Sequence, residues 1–152
     1  MKQWQPDIVD TQLLKIGQFV IAAVPGEFTT MSGRRLRGTI RRAIQEVTNG
    51  DSPKVVISGL SNAYTQYVTT FEEYQKQRYE AASTLYGPYT LMAYQQQYSF
   101  LAKKLALGEP IEDEGPRAPT NYDIQVSFVP GVIMDNPPLG HDFGDCLVQV
   151  NF

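Results

Sequence analysis

The sequence has few of the residues and motifs that build several common kinds of site. It contains one cysteine, Cys146, which excludes an internal disulfide and a zinc site made of thiolates. It has no phosphate-binding loop, no dinucleotide-binding glycine pattern and no H-E-x-x-H zinc motif.

Long apolar runs and an excess of one charge are also missing. No run approaches the ~20 apolar residues of a membrane span, and the N-terminal "MKQWQPD" lacks the apolar core of a signal peptide. We therefore expect the chain, expressed as written, to stay in the cytoplasm. The net charge of -3 argues against a nucleic-acid partner.

What is present is typical of a globular protein. Of the 152 residues, 42% are hydrophobic and 19% are charged, which is enough to form a compact domain with a core. Nine tyrosines and seven phenylalanines are many for this length. They are compatible with a tyrosine-rich pocket and equally with an aromatic core.

The first half of the chain predicts a strand–helix–strand unit. Residues 8–24 read as a hairpin around Gly17. A helix should begin near Met31 or Ser32, with an apolar stripe at helical spacing, and end at the sequence "NGD" of residues 49–51. "KVVISGL", residues 54–60, reads as a central strand because it is apolar on both faces. The pattern indicates an α/β fold: a mixed sheet with a βαβ unit and flanking helices.

The second half predicts two helices and two late strands. A short helix is expected around residues 71–77 and a long one over residues 88–107, with Gly108 as its C-cap. The acidic, proline-rich segment 109–120 reads as a surface linker. "YDIQVSFVPGVI" and "DCLVQVNF" read as strands.

Glu27 stands directly after the apolar strand that ends in "AAVPG". Ligands of open α/β sheets bind beyond the carboxyl ends of the strands, so this carboxylate is a candidate site residue. The alternative is an ordinary surface ion pair with Arg34 or Arg35.

Other candidates are less distinctive. Tyr64 and Tyr67, in "SNAYTQYVTT", either line a site beside Glu27 or pack the loop with their rings. Glu72 and Glu73 are adjacent, so on a helix they point apart and read as solvated charge. His141 is a possible ligand or base, although an exposed loop histidine is the simpler interpretation.

Four stretches together resemble the neutral ceramidase family: "WQPDIVD", "PGEFTTMSGRRLR", "VVISGLSNAYTQYVTTFEEYQKQRYEAASTLYGPYTL" and "FGD". They follow the family's order through nearly the whole chain. The resemblance is to the last part of the family's catalytic domain, so we expect residues 1–152 to be an incomplete, C-terminal portion of it.

The resemblance implies a zinc amidase that splits ceramide into sphingosine and a fatty acid. The family holds zinc with two histidines, a glutamate and a tyrosine. By resemblance, Glu27 of "PGEF" and Tyr67 of "YTQY" match the glutamate and tyrosine ligands. Tyr79 of "QRYE" matches a tyrosine that hydrogen-bonds the reacting amide.

The resemblance also implies what this chain does not supply. The family's two histidine ligands lie upstream, and His141 matches neither. A complete family member is expected to act at a membrane surface and to be secreted or held at the cell surface. Two readings stay open: the C-terminal catalytic portion of a ceramide amidohydrolase, or a truncated, non-catalytic homologue with a binding role or no independent role.

Overall fold

The computed structural model describes residues 5–48, 52–76, 78–112, 115–120 and 136–145. The chain divides into two compact units, Met1–Pro119 and Thr120–Phe152. The helices and strands of the described residues all belong to the first unit. In chain order they are β1 (Gln12–Ile16), β2 (Phe19–Ala23), β3 (Glu27–Phe28), α1 (Thr30–Val47), β4 (Lys54–Ser58), β5 (Tyr67–Val68), α2 (Phe71–Tyr74), α3 (Tyr79–Ala82) and α4 (Thr90–Leu107).

The main sheet has three described strands in the order β1-β2-β4. β1 and β2 form an antiparallel hairpin, and Gly17 takes the positive φ of 59° that the turn requires. β2 and β4 are parallel, with Val20 opposite Val55. The predicted hairpin, the βαβ unit β2–α1–β4 and the mixed-sheet α/β class are therefore confirmed.

One strand differs from its prediction. "KVVISGL" was expected to be a central strand, but β4 is an outer strand of the sheet among the described residues. Its side chains alternate in exposure, with Val55 buried and Val56 37% exposed. An uninterrupted apolar run predicts that both faces of the strand are buried. In the structure α1 packs against the sheet and leaves Val56 open to solvent.

Helix α1 begins at Thr30, close to its predicted start. Thr29 is the N-cap, and its hydroxyl accepts a hydrogen bond from the Ser32 N–H at 3.3 Å. The apolar stripe is buried through Leu36, Ile40 and Ile44. Each such buried aliphatic side chain contributes about 1.5–3 kcal/mol by leaving water.

Helix α4 completes the core. It begins at Thr90, two residues after the predicted Pro88, and Gly108 ends it in the left-handed conformation at φ 68°. Tyr98 is fully buried, and its hydroxyl donates to the carbonyl of Ala23 at the end of β2. Burial raises the pKa of Tyr98, so this phenol stays a neutral donor.

The remaining predictions have mixed outcomes. The helix expected around residues 71–77 is present as α2, and α3 follows it as a second short helix. The described residues of the linker 109–120 are exposed, as expected. The helix stop at residues 49–51 and the two late strands fall outside the described residues.

Candidate functional site

A second, two-stranded sheet extends from the carboxyl ends of the main one. β3 follows β2 and β5 follows β4, and the two short strands pair in parallel. Glu27 N–H donates to the Gln66 carbonyl at 2.9 Å, and Thr29 N–H donates to the Val68 carbonyl at 3.1 Å. In this register Glu27 lies opposite Tyr67. Paired positions on neighbouring strands project to the same face, so the carboxylate and the phenol lie side by side.

Gly26 lets these strands approach closely. A Cβ atom at this position would lie 2.7 Å from the carbonyl oxygen of Gln66 and 2.9 Å from Oγ1 of Thr65. Real Cβ atoms essentially never come so close to a neighbour, so any side chain would push the β5 segment away. The glycine of "PGEF" is therefore part of the geometry that joins Glu27 to Tyr67.

Glu27 is held by hydroxyl groups. The Tyr64 hydroxyl donates to Oε1 of Glu27 at 2.6 Å. The hydrogen bond from Tyr64, followed by one from Tyr67, lowers the pKa of Glu27. The bond to Glu27 raises the pKa of Tyr67 to about 12, with desolvation adding to it. These side chains thus form a carboxylate with two neutral phenol neighbours.

The alternative of an ion pair at Glu27 is not what the described residues show. Arg35 Nη1 lies 2.7 Å from Oε2 of Glu72 instead. Arg34 Nη1 contacts Sδ of Met31 at 3.7 Å. A carboxylate oxygen at a strand end is a group that can bind a metal ion.

Tyr79, the first residue of α3, lies beside Tyr67. Its ring meets the ring of Tyr67 edge to face, with centroids 5.5 Å apart and an interplanar angle of 84°. It is 73% exposed. A groove of about 520 Å³ runs beside Tyr67, between Phe28 and Arg78. The three residues singled out by the resemblance, Glu27, Tyr67 and Tyr79, are therefore brought together.

Of the two adjacent acidic residues Glu72 and Glu73, the second has a structural role. Glu73 forms a capping box with Thr70 at the start of α2, and its Oε2 also accepts from the Thr29 hydroxyl at 2.7 Å. This ties α2 to the N-cap of α1. The prediction of solvated charge holds for Glu72, which forms an exposed ion pair, and is wrong for Glu73.

The loop between β4 and β5 carries the residue that sequence reasoning undervalued, Tyr64. Leu60, Asn62 and Gln66 all have positive φ angles, of 54°, 64° and 66°. This conformation costs a residue such as Leu60 or Gln66 about 1–2 kcal/mol, whereas asparagine tolerates it, and such strain concentrates at functional sites. In the sequence, the one feature that pointed to Tyr64 was its position three residues before Tyr67.

The donor set fits part of a zinc site. A glutamate oxygen is an ordinary zinc ligand, and a phenol can bind as its anion beside a cation. Among the described residues no group of three or more His, Cys, Asp or Glu side chains could hold a metal ion. His141 lies in the second unit, exposed, with Nδ1 3.5 Å from Asp145 Oδ2.

No helix in the described part of the chain is long and apolar enough to cross a membrane.

Known proteins similar to this chain are ceramidases. Neutral ceramidase 1 of Arabidopsis thaliana is 51% identical over 97% of this chain and 19% of that protein. The neutral ceramidase of Drosophila melanogaster is 50% identical over 98% of this chain and 21% of its own length. The chain thus spans about a fifth of the length of these relatives.

Solved structures show the same similarity in three dimensions. A ceramidase complexed with C2 matches at a TM-score of 0.74 and 41% identity, over 96% of this chain and 22% of that chain. A neutral ceramidase from Pseudomonas aeruginosa matches at a TM-score of 0.70 and 43% identity, over the same shares of 96% and 22%.

The family match has two parts. Residues 98–152 match the C-terminal region of the neutral/alkaline non-lysosomal ceramidases. This match begins inside α4. The assignment of all 152 residues to the catalytic domain stays a prediction. Residues 1–96, well over half of the chain, match the N-terminal region of the same family. The chain therefore belongs to the neutral/alkaline non-lysosomal ceramidase family.

Proposed function

We propose that this chain supplies part of the active site of a zinc-dependent amidohydrolase that cleaves ceramide into sphingosine and a fatty acid. The observation that carries the proposal is the register of β3 and β5, which sets Glu27 beside Tyr67, with Tyr79 edge-on to Tyr67. The names of the similar proteins support the substrate class.

In this site Glu27 and Tyr67 would hold the zinc. When bound, zinc supplies a Lewis acid that polarises the amide carbonyl and lowers the pKa of a bound water. Glu27 contributes a full negative charge, since hydrogen bonding keeps its pKa below the ordinary value. Tyr67 contributes a phenol oxygen in the adjacent position.

Tyr79 would act on the substrate. Its exposed hydroxyl can donate a hydrogen bond to the amide carbonyl oxygen as negative charge develops there. A donor of this kind contributes about 10²–10³ in rate. Its edge contact with Tyr67 orients the ring without using the hydroxyl.

Two protein ligands are fewer than the three that a catalytic zinc site takes. We infer that the remaining ligands, two histidines by the family resemblance, come from residues outside this chain, which would then be a fragment of the complete enzyme. Action at a membrane surface and a secreted or cell-surface location rest on that resemblance alone. A lipid substrate is consistent with the exposed apolar side chains of the first unit, among them Leu60 and Phe71.

The test compares the complete polypeptide that contains these residues with the 152-residue chain. Zinc-loaded complete protein should release fatty acid from N-acylsphingosine, measured by mass spectrometry, and the 152-residue chain should not. Glu27→Gln should abolish hydrolysis, while the matched control Glu72→Gln should keep it, because Glu72 forms an exposed ion pair with Arg35. Normal turnover by Glu27→Gln, or by the 152-residue chain, would contradict the proposal.

A further inference from the structure

Tyr64 hydrogen-bonds the Glu27 carboxylate directly, although the two residues are 37 positions apart in sequence. Its hydroxyl donates to Oε1 at 2.6 Å. This length is that of a charge-assisted O–H···O⁻ bond, about twice as strong as a bond between neutral groups. The contact is therefore more than ring packing over a loop.

The position of Tyr64 is fixed by its neighbour. Thr65 is 4% exposed, and its N–H donates to the Pro25 carbonyl at 2.7 Å while its hydroxyl donates to the same oxygen at 3.1 Å. Pro25 lies two residues before Glu27. The loop that carries the phenol is thus bonded to the segment that carries the carboxylate, which fixes one side chain relative to the other.

Three other residues of the loop between β4 and β5 have strained backbone conformations. Leu60, Asn62 and Gln66 hold sparsely populated left-handed backbone conformations. The Asn62 side chain is anchored to Oε1 of Gln12 at 2.9 Å, and the Ser61 N–H to the Val24 carbonyl at 2.9 Å.

We propose that Tyr64 is a positioning residue for the metal-binding carboxylate. By occupying Oε1 of Glu27, its hydroxyl directs a cation to the other carboxylate oxygen and sets the rotation of the carboxylate plane. This inference rests on the proposed zinc site and adds a residue that acts through Glu27. Partners of metal ligands typically contribute about 10–100-fold to metal affinity.

The experiment uses Tyr64→Phe in the complete polypeptide, which removes the hydroxyl and keeps the ring. Tyr89→Phe is the matched control, since Tyr89 is also exposed and contacts Phe71 through its ring. Zinc affinity is measured by equilibrium competition with a chromophoric chelator, and kcat and KM are measured at saturating zinc. Melting temperatures check that each variant is folded.

Tyr64→Phe should weaken zinc binding about 10–100-fold, leave KM within about twofold, and recover most of kcat at saturating zinc. In a Glu27→Gln background, the same substitution should have almost no further effect on zinc affinity, because the residue it positions is already altered.

Two outcomes would overturn the inference alone. One is a folded Tyr64→Phe protein that binds zinc as tightly as Tyr89→Phe while Glu27→Gln binds it weakly. The other is that the Tyr64→Phe and Glu27→Gln effects simply multiply. If Glu27→Gln itself left zinc affinity unchanged, the proposed zinc site would be wrong and this inference with it.

Discussion

Replacing Gly26 by alanine tests whether the close approach of β3 and β5 holds Glu27 beside Tyr67. The added Cβ would lie 2.7 Å from the Gln66 carbonyl oxygen, a backbone atom that cannot rotate away. Ordinary contacts begin at 3.4 Å, so the Gln66 carbonyl, directly before β5, and the Gly26 segment must separate by about 0.7 Å. The same carbonyl accepts the Glu27 N–H at 2.9 Å, and this bond would be distorted too.

The expected size of the effect follows from two opposed terms. Overpacking of this kind costs about 1–3 kcal/mol, and the reduced freedom of the unfolded chain returns about 0.4–1 kcal/mol. We expect a net loss of about 1–2 kcal/mol in the free energy of unfolding, or a few degrees in Tm. Because a displacement of 1 Å at a catalytic site costs about 10²-fold, kcat/KM should fall roughly tenfold or more.

The assay pairs thermal unfolding with zinc affinity and ceramide turnover in the complete polypeptide. Gly59→Ala is the control, because its Cβ would meet the Gly26 carbonyl at an ordinary 3.4 Å. If Gly26→Ala matched Gly59→Ala in Tm, zinc affinity and turnover, the close approach of β3 and β5 would not be what holds the site together.

Three further predictions concern single side chains. Glu73→Gln should lower the free energy of unfolding by about 1–2 kcal/mol in denaturant titration, because it weakens a charged cap that bonds α1 to α2. The control Glu72→Gln should change the free energy of unfolding by less than about 1 kcal/mol. Equal effects of the two substitutions would show that Glu73 has no greater structural role than Glu72. The folded-state pKa of Tyr67, about 12, lies above the ordinary 10.0, so the neutral phenol stabilises the fold below pH 10 and that contribution is lost as the pH rises through 12. Glu27→Gln should move this ionisation towards pH 10 in phenolate absorbance of the metal-free protein, and an unmoved titration would show that Glu27 is not the cause. Tyr79→Phe should keep zinc affinity but lower kcat about 10²–10³-fold; unchanged turnover would remove its assigned role.

The parts of the fold that could be predicted are those that depend on local periodicity. The stripe that includes Leu36 and Ile40 identifies α1 because residues three and four apart share a helix face. Gly108 marks the end of α4 because it takes the left-handed conformation that other residues avoid. For β4 the pattern was misleading, since an apolar run does not say which face a neighbouring element covers.

The site was less accessible to sequence reasoning. β3 and β5 have two residues each, too few to show any period. The contacts that define the site join residues far apart: Tyr64 reaches Glu27 across 37 positions, and Thr29 reaches Glu73 across 44. From residue spacing alone, Glu27 could form a surface ion pair or bind a metal ion. Only the family resemblance favoured the metal-ligand interpretation.

The most direct test of the proposed site is a crystal structure of the zinc-loaded complete polypeptide, with the metal located by its anomalous signal. The proposed site predicts one zinc ion about 2.0–2.2 Å from an oxygen of Glu27 and bonded to the phenol oxygen of Tyr67, with the hydroxyl of Tyr64 still on the other Glu27 oxygen. A zinc ion bound elsewhere, with Glu27 and Tyr67 left to bond each other, would contradict it.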